Sequence, residues 1–204
     1  MKKIISGLFV LAITITTVSA QTKSLGNNDP AAKKILDGVT TKFKTFKAVV
    51  AKFSLKIENA SGKVLGAKSG TVAMKGLKYH VAITGQEIFC DGTNISTFDQ
   101  SAKEVTITKI DPSSNSLTPQ KIFANFYDKD FLYKLNGESK LAGKTLQEIE
   151  LTPIDKTKAF FKVLVYVDKV TQTITSTKIF EKSGSRYSYS VSSMNTKAIV
   201  ADDQ

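Results

Sequence analysis

The residues of this chain that could carry chemistry are few, and their spacing argues against catalysis. Among 204 residues there is a single histidine, His80, and a single cysteine, Cys90. They do not make a usable Cys/His pair, and the sequence has no Ser/His/Asp signature and no metal-ligand spacing. Asp91 and Asp99 stand beside turn residues, where aspartate is favoured because its side chain bonds the nearby backbone. We therefore expect no enzyme activity, no metal and no cofactor.

These residues belong to a segment, 69–109, that alternates with a period of two between turn residues. One parity carries Leu77, Tyr79, Val81 and Ile83, and the other carries Lys78, His80 and Thr84. This alternation predicts strands with one apolar and one solvated face, and it places His80 in solvent.

The Asp91-Gly92 pair lies between two apolar runs and predicts a hairpin, because glycine adopts the positive φ of a tight turn. Cys90 has the parity of Ile88, so we expect a buried free thiol; a single cysteine cannot form an internal disulfide. The segment as a whole predicts an up-and-down antiparallel sheet with a continuous apolar face.

Two helices are predicted outside this segment. Asp29-Pro30 has the pattern of an N-cap followed by proline at the first helical position. The apolar stripe of the first helix, which reaches about residue 46, consists of Ile35, Leu36, Val39, Phe43 and Phe46. Thr118-Pro119 begins the second helix, which ends near residues 128–130 and has the apolar residues Ile122, Phe123, Phe126 and Tyr127.

The rest of the chain is predicted to be strands. They cover 49–57 and 63–74 before the alternating segment, and 131–136, 138–141, 145–153, 160–168, 172–181 and 186–193 after the second helix, with a turn at Asn136-Gly137. A sheet of about ten or eleven strands twists and curls. The predicted fold is mainly β (α+β): an incomplete antiparallel β-barrel whose lid is the N-terminal helix plus the central helix, in a single domain from 21 to 204.

The first twenty residues have the features of a secretory signal peptide. Lys2 and Lys3 precede an apolar run over 4–18, and Val18-Ser19-Ala20 provides small residues for cleavage after Ala20. Position 21 is glutamine, so the mature N-terminus has no thiol for a lipid anchor. We expect an exported, soluble protein without stable membrane insertion.

The charge balance is basic but does not indicate nucleic acid. Cleavage removes Lys2 and Lys3, which lowers the formal net charge from +11 to +9. Arg186 is the only arginine, whereas base edges and phosphates are read mainly by arginine. The lysines are spread along the chain, so we predict a solvated surface with weak attraction to anionic membranes or acidic partners.

The positive functional signal is apolar. The aromatic residues are concentrated in the two helices and the strands beside them, so they either fill a core or line a cavity for a long apolar ligand. The predicted lining of the cavity and lid is Phe43, Phe46, Phe53, Leu55, Val72, Met74, Tyr79, Val81, Ile88, Phe98, Ile122, Phe123 and Phe126.

The pattern resembles the periplasmic outer-membrane lipoprotein carrier family (LolA-like). The residues that carry the resemblance are Gly70, Val72, Met74-Lys75, Tyr79, Ile88, Asp91-Gly92, Phe98-Asp99 and Val105. The resemblance implies a periplasmic carrier with a helical lid that receives acylated lipoproteins or lipids from an inner-membrane transporter and passes them to an outer-membrane acceptor. We expect it to act as a monomer.

Two features depart from that family. Its members have Arg-Pro after the second strand, with the arginine implied to hold the lid shut, whereas this chain has Lys75-Gly76. Lys75 is therefore the candidate latch, although lysine lacks the planar fork of arginine. Ile95-Ser96 also replaces an aromatic residue beyond the Asp-Gly turn. Two other functions stay open: a lipid- or lipoprotein-sensing regulatory module on the same fold, and a structural β-domain with a filled core.

Overall fold

A computed structural model describes residues 28–111 and 127–201 of the chain. These residues form eleven strands and two helices. The helices are α1 (Pro30–Lys44) and α2 (Tyr127–Asp130). The strands are β1 (Val49–Glu58), β2 (Val64–Lys75), β3 (Lys78–Ile83), β4 (Gln86–Cys90), β5 (Asn94–Asp99), β6 (Glu104–Lys109), β7 (Phe131–Leu141), β8 (Lys144–Pro153), β9 (Phe160–Asp168), β10 (Thr173–Glu181) and β11 (Arg186–Asn195).

All eleven strands belong to one antiparallel sheet in the order β6-β5-β4-β3-β2-β1-β11-β10-β9-β8-β7. The first six strands form one meander and the last five form another. They are joined where β11 pairs with β1, from Val50 opposite Asn195 to Glu58 opposite Arg186. Strands β6 and β7 are the two edges, so the sheet is open. This confirms the predicted incomplete antiparallel barrel.

Helix α1 begins as its sequence predicts. The Asp29 Oδ1 atom accepts a hydrogen bond from the backbone N–H of Ala31 at 2.8 Å, and Pro30 is the first helical residue. The Asp29 Oδ2 atom accepts from the N–H of Leu135 at 3.0 Å, and the N–H of Asp29 donates to the Tyr133 carbonyl at 3.1 Å. The cap therefore fixes the start of α1 to strand β7.

Helix α2 is where the predicted central helix ends, and residues 118–126 of that prediction lie outside the described part of the chain. Tyr127 is buried, and its hydroxyl donates to the Asp37 Oδ1 atom of α1 at 2.9 Å. Burial raises the pKa of Tyr127 to about 12. This contact holds the end of the connection from β6 to β7 against α1.

The apolar interior has two parts. The first lies between α1 and strands β7–β10, and Phe131, Ile149 and Leu151 are fully buried in it. The second lies on strands β1–β4, where Val49, Met74 and Tyr79 are buried and Phe43 and Phe46 pack against them. The stripe predicted for the first helix thus contacts both parts, and the space between them forms the site described below.

Two local predictions are wrong. The Asn136-Gly137 pair is a β-bulge within one strand, because Leu135 pairs with Ile149 and Gly137 pairs with Glu148, leaving Asn136 as the extra residue. Gly137 has a φ of 144°, and the Asn136 amide donates to Glu148 at 2.9 Å. Leu77 is 70% exposed in the β2–β3 turn, so it does not share the buried face with Tyr79.

Candidate ligand-binding site

An apolar cavity of about 230 Å³ lies on the concave face of the sheet, between the two parts of the interior. It is bounded by the first half of β1, the second half of β2 and the central parts of β3, β4, β10 and β11. The lining residues are Val49, Ala51, Phe53, Val72, Met74, Val81, Ile88, Ile174, Ser176, Thr177, Ile179, Tyr189, Val191 and Met194. Close packing leaves few voids larger than a water molecule, so a space of this size is a specific feature of the fold.

The lining has little capacity for acid–base chemistry. Its polar groups are the hydroxyls of Ser176, Thr177 and Tyr189, and none of the described lining residues is charged. Burial raises the pKa of the Tyr189 phenol, with the neighbouring Tyr187 and Glu181 adding to the effect. The phenol therefore stays neutral at ordinary pH. Such a surface suits the binding of an apolar chain, with the hydroxyls available to a polar group at the end of that chain.

Five of the predicted residues meet at the cavity: Phe53, Val72, Met74, Val81 and Ile88. They come from four strands, and the register places Val72 opposite Val81 and Val81 opposite Ile88. Residues directly opposite in an antiparallel pair point to the same face. The period-two pattern of the sequence therefore located the N-terminal half of the wall.

Other predicted residues lie near the cavity without lining it. Leu55 and Tyr79 are buried on the same strands. Phe43 and Phe46 pack edge to face at 5.9 Å between their ring centroids, and they share a small space with Ile174 and Met194 at the α1 end of the cavity. The lid residues Ile122, Phe123 and Phe126 lie outside the described ranges.

The prediction that Phe98 lines the cavity is wrong. It pairs with Glu87 of β4 and with Val105 of β6, whereas the cavity residue Ile88 pairs with Thr97. Phe98 therefore points to the convex face of the sheet, away from the cavity. The residues that pair across the turn are Cys90 and Ile95, so they enclose four residues, and this even number changes the cavity-facing parity from even in β4 to odd in β5.

Sequence reasoning missed the half of the wall that comes from β10 and β11. Seven lining residues lie there, and the apolar ones are Ile174, Ile179, Val191 and Met194. In β11, Tyr187, Tyr189 and Val191 alternate with Ser188, Ser190 and Ser192, so the sequence contains an apolar face that was not assigned to the cavity. The pattern of β10 is less regular, because its register with β9 shifts between Ile174 and Ser176. The pairing of β1 with β11 brings this wall to the site, and alternation within each strand was the only signal that could have revealed it.

The contacts of the single cysteine and the single histidine are those of residues that support the sheet. The Cys90 thiol is free and buried, as predicted, and its sulfur accepts from the N–H of Gly92 at 3.4 Å. The His80 ring is only partly exposed, which corrects the solvent-exposed prediction. It stacks on Phe89 at 4.2 Å between centroids and lies 3.2 Å from a carboxylate oxygen of Glu87.

The two aspartates form turns, as predicted. Asp91 accepts hydrogen bonds from the backbone N–H groups of Thr93 and Asn94, each at 2.6 Å, and these bonds lower the pKa of its carboxyl group. Asp99 accepts from the hydroxyl of Ser101 at 2.6 Å, and its pKa is lowered in the same way. Both carboxylates are committed to local backbone structure.

The candidate latch, Lys75, contacts the segment that follows β11. Its ammonium group donates to the carbonyl oxygen of Val200 at 3.1 Å. The lid helix that it was expected to hold lies in residues that the structure does not describe. The observed contact ties the end of β2 to the C-terminal segment.

Comparison with known proteins places the chain in a family. The sequence model of the family described as "Outer membrane lipoprotein carrier protein LolA" matches residues 44–204. This match includes every strand of the sheet and all of the described cavity lining. A comparison with curated proteins found no match.

Solved structures show the same fold at low sequence identity. The lipoprotein LppX from Mycobacterium tuberculosis is 14% identical with a TM-score of 0.56, covering 85% of this chain and 100% of that one. An uncharacterized conserved protein from Thermus thermophilus is 10% identical with a TM-score of 0.57, covering 83% and 90%. Within the described residues of the present chain, neither helix has the length and apolar character needed to cross a membrane.

Proposed function

Since this chain belongs to the outer membrane lipoprotein carrier family, we propose that it is a carrier that shields the acyl chains of lipoproteins or lipids in its cavity. The observation that carries the proposal is the apolar cavity of about 230 Å³ between two packed parts of the interior. The lack of charged groups among the described lining residues favours hydrocarbon over a polar ligand.

The energetics of acyl chains give the reason for such a cavity. Exposing a chain of about twelve methylenes to water costs roughly 10 kcal/mol, at about 0.8 kcal/mol per methylene. An apolar cavity of about 150 Å³ is enough to hold benzene. The present cavity therefore accommodates part of one long chain, and we propose that binding a complete acyl group widens the space between β10 and the β1–β4 wall.

The route of the cargo is part of the same proposal. Residues 1–20 act as a signal peptide, and the mature protein works as a monomer in the periplasm. It receives acylated cargo from an inner-membrane transporter and delivers it to an outer-membrane acceptor. A protein that shields an acyl group between the two membranes needs no cofactor, because the acyl group is released from one apolar environment into another.

We propose that Lys75 influences release. Its bond to the Val200 carbonyl ties the last residue of β2, next to the lining residue Met74, to the C-terminal segment. An arginine would hold such a contact more tightly, because its fork presents several donors in a fixed plane. We expect Lys75→Arg to slow the hand-off of bound cargo to acceptor membranes, and Lys75→Leu to leave capture unchanged. Loss of capture in Lys75→Leu would instead place Lys75 in direct contact with cargo.

A pair of neighbouring substitutions tests the carrier proposal. Val72 lines the cavity, whereas Thr71 is exposed on the opposite face of β2. We expect Val72→Asp to lower the affinity for an uncharged fluorescent acyl ester at least tenfold, because a carboxylate opposes burial of hydrocarbon. Thr71→Asp is the matched control and should bind like the wild type.

Circular dichroism would confirm that both variants are folded before binding is compared. Absence of ester binding by the wild-type protein would refute the proposal. An equal loss of affinity in the two variants would show that the ester binds elsewhere than in the cavity.

A further inference from the structure

The two edges of the open sheet differ in whether their backbone is free to pair. On the β7 edge, the N–H of Tyr133 donates to the Asn28 side chain at 3.1 Å, and the N–H of Leu135 donates to the Asp29 carboxylate at 3.0 Å. The β-bulge of this strand follows directly, and its exposed remainder, 138–141, carries two charges among four residues. Covering groups, bulges and charges are the means by which proteins keep a sheet edge from pairing with another chain.

Strand β6 is the other edge, and within the part of the chain that the structure describes it has neither a covering segment nor a bulge. All six of its residues are exposed. Its register with β5 is regular, from Asn94 opposite Lys109 to Asp99 opposite Glu104. Between the two terminal charges, residues 105–108 are uncharged and contain neither proline nor glycine. This edge is therefore suited to pairing with a further strand.

The hydrogen-bond pattern shows which residues of β6 would form that pairing. The N–H of Ile110 donates to the Thr93 carbonyl of the preceding turn at 2.8 Å. Bonded and non-bonded positions alternate along an antiparallel pair, so the even-numbered residues of β6 bond to β5. The N–H and C=O groups of Val105, Ile107 and Lys109 therefore point away from the sheet, and none of the described residues bonds to them.

The side chains of the outward-bonding residues lie on the convex face. Val105 pairs with Phe98, which is on that face, and Ile107 pairs with Ser96, two residues before Phe98. Val105 is 59% exposed and Ile107 is 69% exposed. Lys109 continues the same row. Because the cavity opens on the concave face, a strand added here leaves the cavity accessible.

A second copy of the chain fits this edge poorly. Antiparallel pairing of two β6 strands that places Val105 opposite Ile107 also places Lys103 opposite Lys109 at each end. Like charges directly opposite each other are destabilising. The neighbouring registers place one of these lysines opposite an apolar residue instead. The edge thus disfavours self-association and favours a strand with an acidic residue at the position opposite Lys109.

We propose that the β6 edge binds an extended segment of a protein partner as an additional antiparallel strand. The backbone of the segment bonds to Val105, Ile107 and Lys109, which supplies affinity, and the side chains opposite them supply specificity. Apolar residues lie opposite Val105 and Ile107, and an acidic residue lies opposite Lys109. From its N-terminus, the segment has the pattern acidic–x–apolar–x–apolar. This interaction goes beyond the carrier function and does not depend on what the cavity holds.

Hydrogen exchange with a synthetic peptide tests the proposal. The probe, Ser-Glu-Thr-Val-Thr-Val-Ser blocked at both ends, carries glutamate and the two valines at the three recognised positions. At about five times its Kd, the peptide should slow exchange of the Val105, Ile107 and Lys109 amides of the purified protein about sixfold, because occupancy divides the rate by 1 + [L]/Kd. The same peptide with N-methylated valines keeps the side chains but loses the donors, so it should give no protection.

Variants of the edge separate the charge from the backbone contribution. Lys109→Glu should lower the affinity for the glutamate peptide about fivefold and favour a peptide with lysine in place of glutamate. Lys140→Glu, at an exposed position on the β7 edge, is the matched control and should bind like the wild type. Ile107→Pro removes an outward N–H that β5 does not use and should abolish binding, whereas Ile107→Val should retain it. If Ile107→Pro disturbs the strand, the charge reversal still tests the position.

Several results would overturn the proposal. They are a lack of protection in the wild type, equal protection by the N-methylated peptide, and an unchanged charge preference in Lys109→Glu. Sedimentation equilibrium that shows a wild-type dimer, dissociated by Ile107→Pro, would also overturn it and would identify a second copy of the chain as the occupant of the edge.

Discussion

Two isoleucines allow the open cavity to be tested through stability. Ile149 is 0% exposed and packs among Phe131, Leu151 and Val165 in the interior under α1. Ile88 is partly buried and borders the cavity of about 230 Å³. The substitutions Ile149→Ala and Ile88→Ala remove the same atoms, so differences in their effect report on the surroundings.

The expected magnitudes differ several-fold. Substituting a fully packed isoleucine by alanine removes buried hydrocarbon and leaves a new void, which lowers the free energy of unfolding by about 2–5 kcal/mol. We expect Ile149→Ala to fall near ~4 kcal/mol, in the upper part of that range. Ile88 already faces empty space on one side, so its replacement creates no closed void and removes fewer contacts. At about 0.8 kcal/mol per fully buried methylene, its partial burial corresponds to about 1 kcal/mol.

Urea denaturation followed by circular dichroism measures both values. In thermal unfolding, 1 kcal/mol shifts the midpoint by about 2–4 °C in a domain of this size, so the expected shifts are about 8–16 °C for Ile149→Ala and 2–4 °C for Ile88→Ala. Both variants should retain the wild-type slope against denaturant. Equal losses of stability would show that Ile88 is as closely packed as Ile149, and the reasoning from an open cavity would be refuted.

Three further predictions concern charge, reactivity and backbone conformation. Burial opposes ionisation of Asp168, but bonds from the N–H groups of Thr171 and Val170, together with Lys144, outweigh it and hold the pKa below its ordinary value of 3.8. The ionised Asp168 carboxylate therefore stabilises the folded state above pH 3.8, and this stabilisation is lost as the pH falls through the lowered pKa. Asp168→Asn should make the free energy of unfolding less dependent on pH on the acid side, and an unchanged dependence would contradict this. The Cys90 thiol, in a residue that is 5% exposed, should react with a thiol reagent far more slowly in the native than in the urea-unfolded protein, and equal rates would show that it is accessible. Gly184 has a φ of 91°, so Gly184→Ala should lower the free energy of unfolding by about 1–2 kcal/mol, whereas Gly66→Ala, with open space around its Cα and no positive φ, should be nearly neutral in the same denaturation assay.

Local sequence signals predicted most of the sheet, because they act within a few residues. The Asp91-Gly92 turn and the bond from the Ala31 N–H to Asp29 involve only neighbouring groups, so a short window of sequence contains their cause. The bond from the Leu135 N–H to Asp29 spans more than a hundred residues and cannot be read from such a window. Asn136-Gly137 carries the same local signal, yet β7 continues through it because β8 pairs with both sides of the bulge. That outcome depends on the pairing strand rather than on the turn residues, so no turn signal contains it.

The site was harder to predict than the sheet, because the preceding turn decides which residues of a strand face the cavity. Val81 and Ile88 line the cavity, whereas Phe98 lies on the convex face because the cavity-facing parity changes between β4 and β5, where Cys90 pairs with Ile95. The wall from β10 and β11 reaches the cavity only because β11 pairs with β1, a contact between residues such as Leu55 and Tyr189. Long-range pairing of this kind leaves no trace in the spacing of residues along one strand.

The most direct test of the account is the identity of whatever the cavity holds. The protein is purified by gentle means from cells that produce it and extracted with organic solvent, and the extract is examined by mass spectrometry. Wild-type protein should yield acyl lipid in roughly stoichiometric amount, the Val72→Asp variant should yield much less, and Thr71→Asp should match the wild type. Extracts free of acyl lipid from the wild type, or containing equal amounts from Val72→Asp and the wild type, would contradict an acyl-binding cavity.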